Sequence, residues 1–108
     1  MQLTMLKGYP DLIGRRQAFV GTAVGPASYN ATAGDVVAAP GYERYIDSIL
    51  DVSQDPTGTY NGQARPSVAG GRATWTVHYY LVSSGAEVGN GVNLSAFNFT
   101  VAGFMGEY

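Results

Sequence analysis

The sequence predicts an all-β domain, a small antiparallel β-sandwich or barrel-like fold with an extended N-terminal arm. Three observations lead there. Fifteen glycines and five prolines break the 108 residues into short pieces. Two of those pieces alternate apolar and polar residues with period two, and no piece carries a 3.6-residue apolar stripe. Six short strands joined by Gly- and Pro-containing turns suit a sandwich or a small closed sheet. At this length one core is expected, with residues 15–108 forming a single domain and residues 1–14 an arm.

The arm carries Leu3, Met5, Leu6, Tyr9, Leu12 and Ile13 without either period, and Pro10 would interrupt a helix or a strand. Apolar groups so scattered are expected to lie against a neighbouring subunit rather than the arm's own domain. Arg15 to Val24 reads as the first strand, with Ala18, Val20, Thr22 and Val24 set against Gln17 and Phe19. A small-residue loop, Gly25 to Gly34, and a short apolar run at Val36 and Val37 follow.

Tyr45 to Ser53 reads as a strand with Ile46, Ser48, Leu50 and Val52 on one face and Asp47, Ile49 and Asp51 on the other. A helix from Tyr42 to Leu50 is the competing reading, disfavoured by its Ile and Tyr content. Asp55-Pro56-Thr57-Gly58 is a turn, leading to a strand over Thr59 to Ala64. Trp75 to Leu81 and Ala96 to Ala102 are the clearest strands. Their inward residues Trp75, Val77, Tyr79, Leu81, Phe97, Phe99 and Val101 are the expected centre of the core.

Composition excludes several classes of function. Six Lys and Arg against eight Asp and Glu give a net charge of −2, too little positive charge for a phosphate-binding surface, so no nucleic-acid partner is expected. The absence of cysteine removes disulfides, thiolate nucleophiles and Cys-based zinc sites. No apolar run approaches a membrane span, the first residues do not form a signal-peptide core, and the expected place of synthesis is a cytosol. The Asn-x-Ser/Thr triplets at Asn30, Asn93 and Asn98 then carry no glycosylation meaning.

Candidate chemistry is sparse. His78 is the sole histidine and falls on the polar face of its strand, where a partly exposed structural role is expected because no partner positions it as a base. Glu43, Asp47, Asp51 and Asp55 are spaced by four, about 13 Å apart along a strand and too far for one calcium ion. They read as solvated charges. Gly85 to Gly91 lacks the Lys and Ser/Thr of a phosphate loop and reads as a turn. No cofactor, metal or catalytic residue is expected. Eight tyrosines in a chain of low charge leave one of Tyr79 and Tyr80 on a surface, where a ring with a polar tip suits an interface.

From Arg16 onward the chain runs through Phe19-Val-Gly-Thr-Ala-Val24, Asp55-Pro-Thr-Gly-Thr-Tyr60, the Tyr-rich strand from Trp75 to Val82, Ser84-Gly-Ala-Glu-Val88 and Asn93-Leu-Ser-Ala96 ahead of the last strand. This order of pieces resembles the small β-sandwich virion proteins of tailed bacteriophages. It implies a head decoration, or cement, protein that binds the outer surface of the capsid, with the major capsid protein and further copies of itself, as a homotrimer, for partners. It implies no catalytic residues. The arm and the tail from Phe104 to Tyr108 depart from the family pattern, and each reads as an added contact. The expected interface residues are therefore Leu3, Met5, Leu6, Tyr9, Leu12, Ile13, Tyr80, Phe104, Met105 and Tyr108. Two alternatives are a tail or connector protein and a carbohydrate- or receptor-binding module that stacks sugars on Tyr60, Trp75 or Tyr80.

Overall fold

The computed structural model describes residues 1–6, 11–13, 16–40, 46–53, 58–69 and 72–105, with backbone alone for 11–13, 16, 47, 50, 68, 69, 72 and 73. The chain is all-β: β1 (Thr4–Met5), β2 (Asp11–Ile13), β3 (Arg16–Val24), β4 (Asp35–Val36), β5 (Ile46–Ser53), β6 (Tyr60–Ala69), β7 (Arg72–Leu81) and β8 (Asn98–Met105). The eight form one antiparallel sheet in the order β1-β3-β8-β5-β6-β7-β4, with β2 also on β3. The sheet curls into a half-barrel. Its two ends meet: Gln2 bridges Ala38 in parallel, Leu3 N–H donates to the Ala38 carbonyl (2.7 Å) and Ala38 N–H donates to the Met1 carbonyl (2.8 Å).

The interior follows from alternation along β7 and β8. Phe99, Val101 and Met105 point inward from β8, and Val77 and Tyr79 from β7, each at most 2% exposed. Phe19, Tyr29 and Leu94 complete the set of large side chains removed from water, each worth roughly 1.5–3 kcal/mol of transfer free energy where aliphatic or Phe. Trp75 and Phe97 are half-buried at the margin of this cluster, and Leu81 is half-buried as well.

Three face assignments differ from expectation. On β3 Phe19, Gly21 and Ala23 are buried on the interior face, in register with Gly103, Val101 and Phe99 of β8, whereas Val24 is exposed and, of the residues expected to share its face, Ala18 alone is buried. On β5 the buried residues are Ile46, Ile49 and Val52. The register with β8 shifts between Ile46 and Ser48 and again between Ile49 and Asp51. Each such bulge adds a residue and turns the following side chain to the other face, so a strict period of two fails. Gly103 makes room for that distortion, since a Cβ there would stand 2.0 Å from the Ser48 carbonyl oxygen.

The third concerns the arm. β1 pairs with the end of β3 (Thr4↔Thr22, Met5↔Gly21) and β2 with its start (Asp11↔Ala18 to Ile13↔Arg16). Leu3 is a core residue, 5% exposed, and Met1 and Met5 pack against the same cluster. Residues 1–6 are thus part of the sheet and close it, correcting the arm expected to lie off its own domain. The scattered apolar pattern arises because two very short strands share one neighbour, too short for any periodicity to register.

The β6–β7 hairpin is longer than its sequence signals suggest. Its ladder runs without interruption from Tyr60↔Leu81 to Ala69↔Arg72, passing through Pro66. The Trp75 carbonyl accepts from Val37 N–H, just beyond β4, so the Pro66↔Trp75 pair is a non-hydrogen-bonded one, and the missing N–H of Pro66 lies on the edge of β6 away from β7.

Candidate functional site

Two loops fold over the β4-side edge of β7 and are laced to each other. Gly25 N–H donates to the Phe97 carbonyl (3.1 Å), Leu94 N–H to Pro26 (2.8 Å), Tyr29 N–H to Val92 (3.0 Å) and Gly91 N–H to Tyr29 (2.8 Å). Residues 86–88 extend the edge, with Leu81 N–H donating to the Ala86 carbonyl and Val88 N–H to the Tyr79 carbonyl, both at 2.9 Å. Between this segment and β4 the N–H of Tyr79 faces outward without a strand beside it. The Tyr29 hydroxyl accepts from it at 3.2 Å and donates to Glu87 Oε2 at 2.7 Å.

His78 Nδ1 lies 2.9 Å from the same Glu87 oxygen and, since a carboxylate only accepts, donates to it. These bonds hold Glu87 below the usual carboxylate range, the His78 contact contributing most and the Tyr29 hydroxyl next. Burial, and then the hydrogen bond to Glu87, push the Tyr29 hydroxyl well above an ordinary tyrosine. Burial, and then the charge of Asp35, do the same to Tyr79, whose hydroxyl donates to Asp35 Oδ2 at 2.8 Å. Asp35 Oδ1 in turn accepts from the Met1 ammonium at 2.6 Å.

His78 is 6% exposed, a correction to the partly exposed position expected of it. The covering comes from residues far away in sequence. Gly34, at a φ of 77°, passes so close that a Cβ there would stand 2.8 Å from His78 Nε2. With one ring nitrogen bonded to Glu87 and the other beneath Gly34, the imidazole has no open side to offer a substrate. The Tyr29–Glu87–His78 cluster therefore acts as a latch that pins both loops to β7. No group of three His, Cys, Asp or Glu residues with metal-holding geometry occurs among the described residues. Of the spaced carboxylates, Asp51 is exposed and accepts from the Ser53 hydroxyl; Glu43 and Asp55, and the side chain of Asp47, lie outside the described residues.

The expected interface residues divide. Leu3 and Met105 are interior, and Met5 and Phe104 are half-buried. Leu6 remains exposed. Tyr80 is half-buried on the outer face of the hairpin, its hydroxyl accepting from the Arg65 guanidinium. Tyr9 and Tyr108, and the side chains of Leu12 and Ile13, lie outside the described residues. The three rings considered as a sugar platform do not share a face: Tyr60 and Trp75 belong to the inner face of the hairpin, where Tyr60 packs edge-on to Phe97 (4.9 Å between centroids), and Tyr80 to the outer.

What sequence reasoning missed is the outer half of the hairpin. Gln63, Arg65, Pro66, Ser67 and Thr74 are exposed, and among the described residues only Val52↔Gly62 pairs β6 to β5. The legible signal was the continuing alternation of Gln63, Arg65 and Ser67 with Ala64, Pro66 and Val68, hidden by treating Pro66 as a breaker. No helix among the described residues is long and apolar enough to cross a membrane. Comparison of the chain with protein-family models, with curated proteins and with solved structures returns no match.

Proposed function

We propose that this chain is a structural protein that works by protein–protein contact, and that its setting is the outer surface of a tailed-phage head, where it serves as a decoration or cement protein. The contact mode is supported by one observation above others. Two ten-residue strands, β6 and β7, form a hairpin whose outer half pairs chiefly with itself and presents exposed side chains and a bare strand edge. A rigid projection of this kind reaches a neighbouring surface without any cofactor. Leu6, Val24, Val36 and Val82 add large exposed apolar groups outside the hairpin.

The virion setting is supported by the sequence resemblance from Arg16 onward. In that setting the partners are the major capsid protein and two further copies of this chain around a three-fold position, and repeated copies add avidity to each weak contact. A non-enzymatic role is favoured by the enclosed imidazole of His78.

The test is to mix the purified protein with phage heads that lack it and to measure co-sedimentation and increased resistance to heat. Saturable binding with a copy number in multiples of three is expected. Recovery of the protein in tails, or no binding to heads, would overturn the assignment.

A further inference from the structure

β3 and β8 carry apolar residues on both faces. Inside stand Phe19 and Ala23 of β3 and Phe99, Val101 and Met105 of β8; outside stand Ala18, Val20 and Val24, and Ala102 and Phe104. An antiparallel strand with one face in a core and the other in water alternates apolar with polar residues, and a strand apolar on both sides is one that is covered on both. β6 and β7 keep to the first pattern, with Asn61, Gln63, Arg65, Thr74 and Tyr80 outside. The outer side of β3 and β8 is open nonetheless. Val24 is 49% exposed, its neighbour on the β1 side, Leu6, is 41% exposed, and Val20 and Ala102 are half-buried.

Register sets this face in ranks that cross the strands. Val24 stands beside Asn98. Thr22 stands between Thr4 and Thr100, with Ser53 beyond, and Val20 between Leu6 and Ala102, with Asp51 beyond. Asp51, at the β5 margin where it accepts from the Ser53 hydroxyl, is the one charged side chain of these three ranks. Loss of charge from an exposed patch is the compositional mark of an interface centre.

We propose that the outer face of β3 and β8 packs sheet on sheet against the same face of a second copy of this chain. Two features select an identical face. A threonine hydroxyl both donates and accepts, so the rank of Thr4, Thr22 and Thr100 is complementary to its own image. A two-fold axis parallel to the strands, between β3 and β8, lays each rank on its counterpart, Thr22 over Thr100 and Val20 over Ala102. That axis puts Asp51 across from β1 of the copy, so like charges do not meet. At a strand spacing of about 4.8 Å the three ranks cover roughly 400 Å² on each copy, about half of what each partner gives to a standard interface. The contact is therefore weak for the free chain and gains strength where copies are held side by side.

This inference rests on the protein-contact reading above and says which surface one copy offers another. Around three-fold positions a two-fold contact joins a copy in one cluster to a copy in the next, and the two symmetries together make a continuous layer.

The chain has no cysteine, so an introduced thiol reports a single position. Thr100→Cys, exposed in the middle rank, and Thr74→Cys, exposed on the outer face of the hairpin, are each treated with a short bismaleimide, and linked dimers are measured on a denaturing gel. At about 0.5 mM, a concentration suited to a weak contact, Thr100→Cys is expected to give at least about fivefold more dimer than Thr74→Cys. Adding Val24→Lys, which would bury an unpaired charge in the contact, should lower the yield to that of Thr74→Cys. Thr4→Lys, at an exposed site of the middle rank, repeats the test if Val24→Lys fails to fold. Equal yields from the two thiols, or a yield that the lysine leaves unchanged, would overturn the proposal. Linked dimers from a protein that does not bind phage heads would sustain the contact between copies and overturn the virion reading. Head binding that Val24→Lys abolishes, with no linked dimer from Thr100→Cys, would give the face to the shell and overturn the contact between copies.

Discussion

The two ends of the sheet and its middle seam are built on opposite principles. Where β1 meets β4, contacts distant in sequence accumulate: the Gln2–Ala38 bridge, Leu3 in the core, the Met1–Asp35 ion pair and the Asp35–Tyr79 hydrogen bond. Where β5 meets β6, strands adjacent in sequence hold one ladder pair among the described residues. Sequence neighbours usually pair, since short connections lose little loop entropy. Here bulges and a proline weaken the local pairing, while buried apolar and polar groups secure the distant one. Stability is concentrated on the closed side and surface for contact on the open side.

The largest effect should come from the interior that both sides share. Phe99, 1% exposed, packs 5.0 Å from Tyr79 between ring centroids, and Phe99→Ala should destabilise the chain by about 3–5 kcal/mol. Chemical denaturation measures it, and a loss under about 1 kcal/mol would show that the interior does not depend on the β7–β8 register.

Leu3 tests the closure itself. Leu3→Ala should cost about 2–5 kcal/mol, the usual range for a buried Leu, although its strand neighbour β1 has only two residues. Removal of residues 1–6 should cost more still, by exposing the β3 and β4 edges together. If thermal melting of either variant stayed within a few degrees of the parent, the closure would be ornamental and the earlier expectation of a separable arm would regain force.

These residues also mark what the sequence made legible. Val77, Tyr79, Phe99 and Val101 were identifiable as core because β7 and β8 are regular and alternate cleanly. Ile49 was assigned to the wrong face because a bulge is a choice made between strands, with no signature in one of them. Leu3 gave no period because β1 is too short, and His78 looked exposed because Gly34 and Glu87, which enclose it, arrive from other loops. Pro66 reads as a breaker in the sequence because its meaning depends on which edge its nitrogen faces. Local pattern specifies regular strands, and contacts across the curl decide the rest.

The latch is a smaller contribution to the closed side. Tyr29→Phe keeps the buried ring and removes the hydroxyl, leaving Tyr79 N–H without its acceptor and Glu87 with His78 as its remaining donor. A loss of about 1–3 kcal/mol is expected from the stranded N–H, read from the denaturant midpoint. An unchanged midpoint would mean that water replaces the hydroxyl and that the loops need no pin.

Acidification probes the same latch through Glu87. Its folded-state pKa lies below the unfolded value, so the folded state binds fewer protons in the acid range. The stabilisation is complete above the ordinary glutamate pKa of about 4.3 and is lost as pH falls through the lower folded value. Glu87→Gln should flatten that part of the dependence of melting temperature on pH, with parent and variant differing less at pH 3 than at pH 6. Parallel curves would show that Glu87 has no energetic link to folding.

The smallest change in stability belongs to the open side. Arg65 and Ser67 stand on the exposed outer face of the hairpin, where the Arg65 guanidinium donates to the Tyr80 hydroxyl and its backbone carbonyl accepts from Thr76. An exposed hydrogen bond of this kind contributes little, so Arg65→Ala and Ser67→Ala should each shift stability by no more than about 0.5 kcal/mol. The contrast with Leu3→Ala is the sharper measurement, because it sets the hairpin margin, paired within one hairpin, against the margin closed by contacts distant in sequence. If the hairpin substitutions cost as much as Leu3→Ala, the outer half of β6–β7 would be a supporting element of the fold, and the division between a stabilising side and a contacting side would fail.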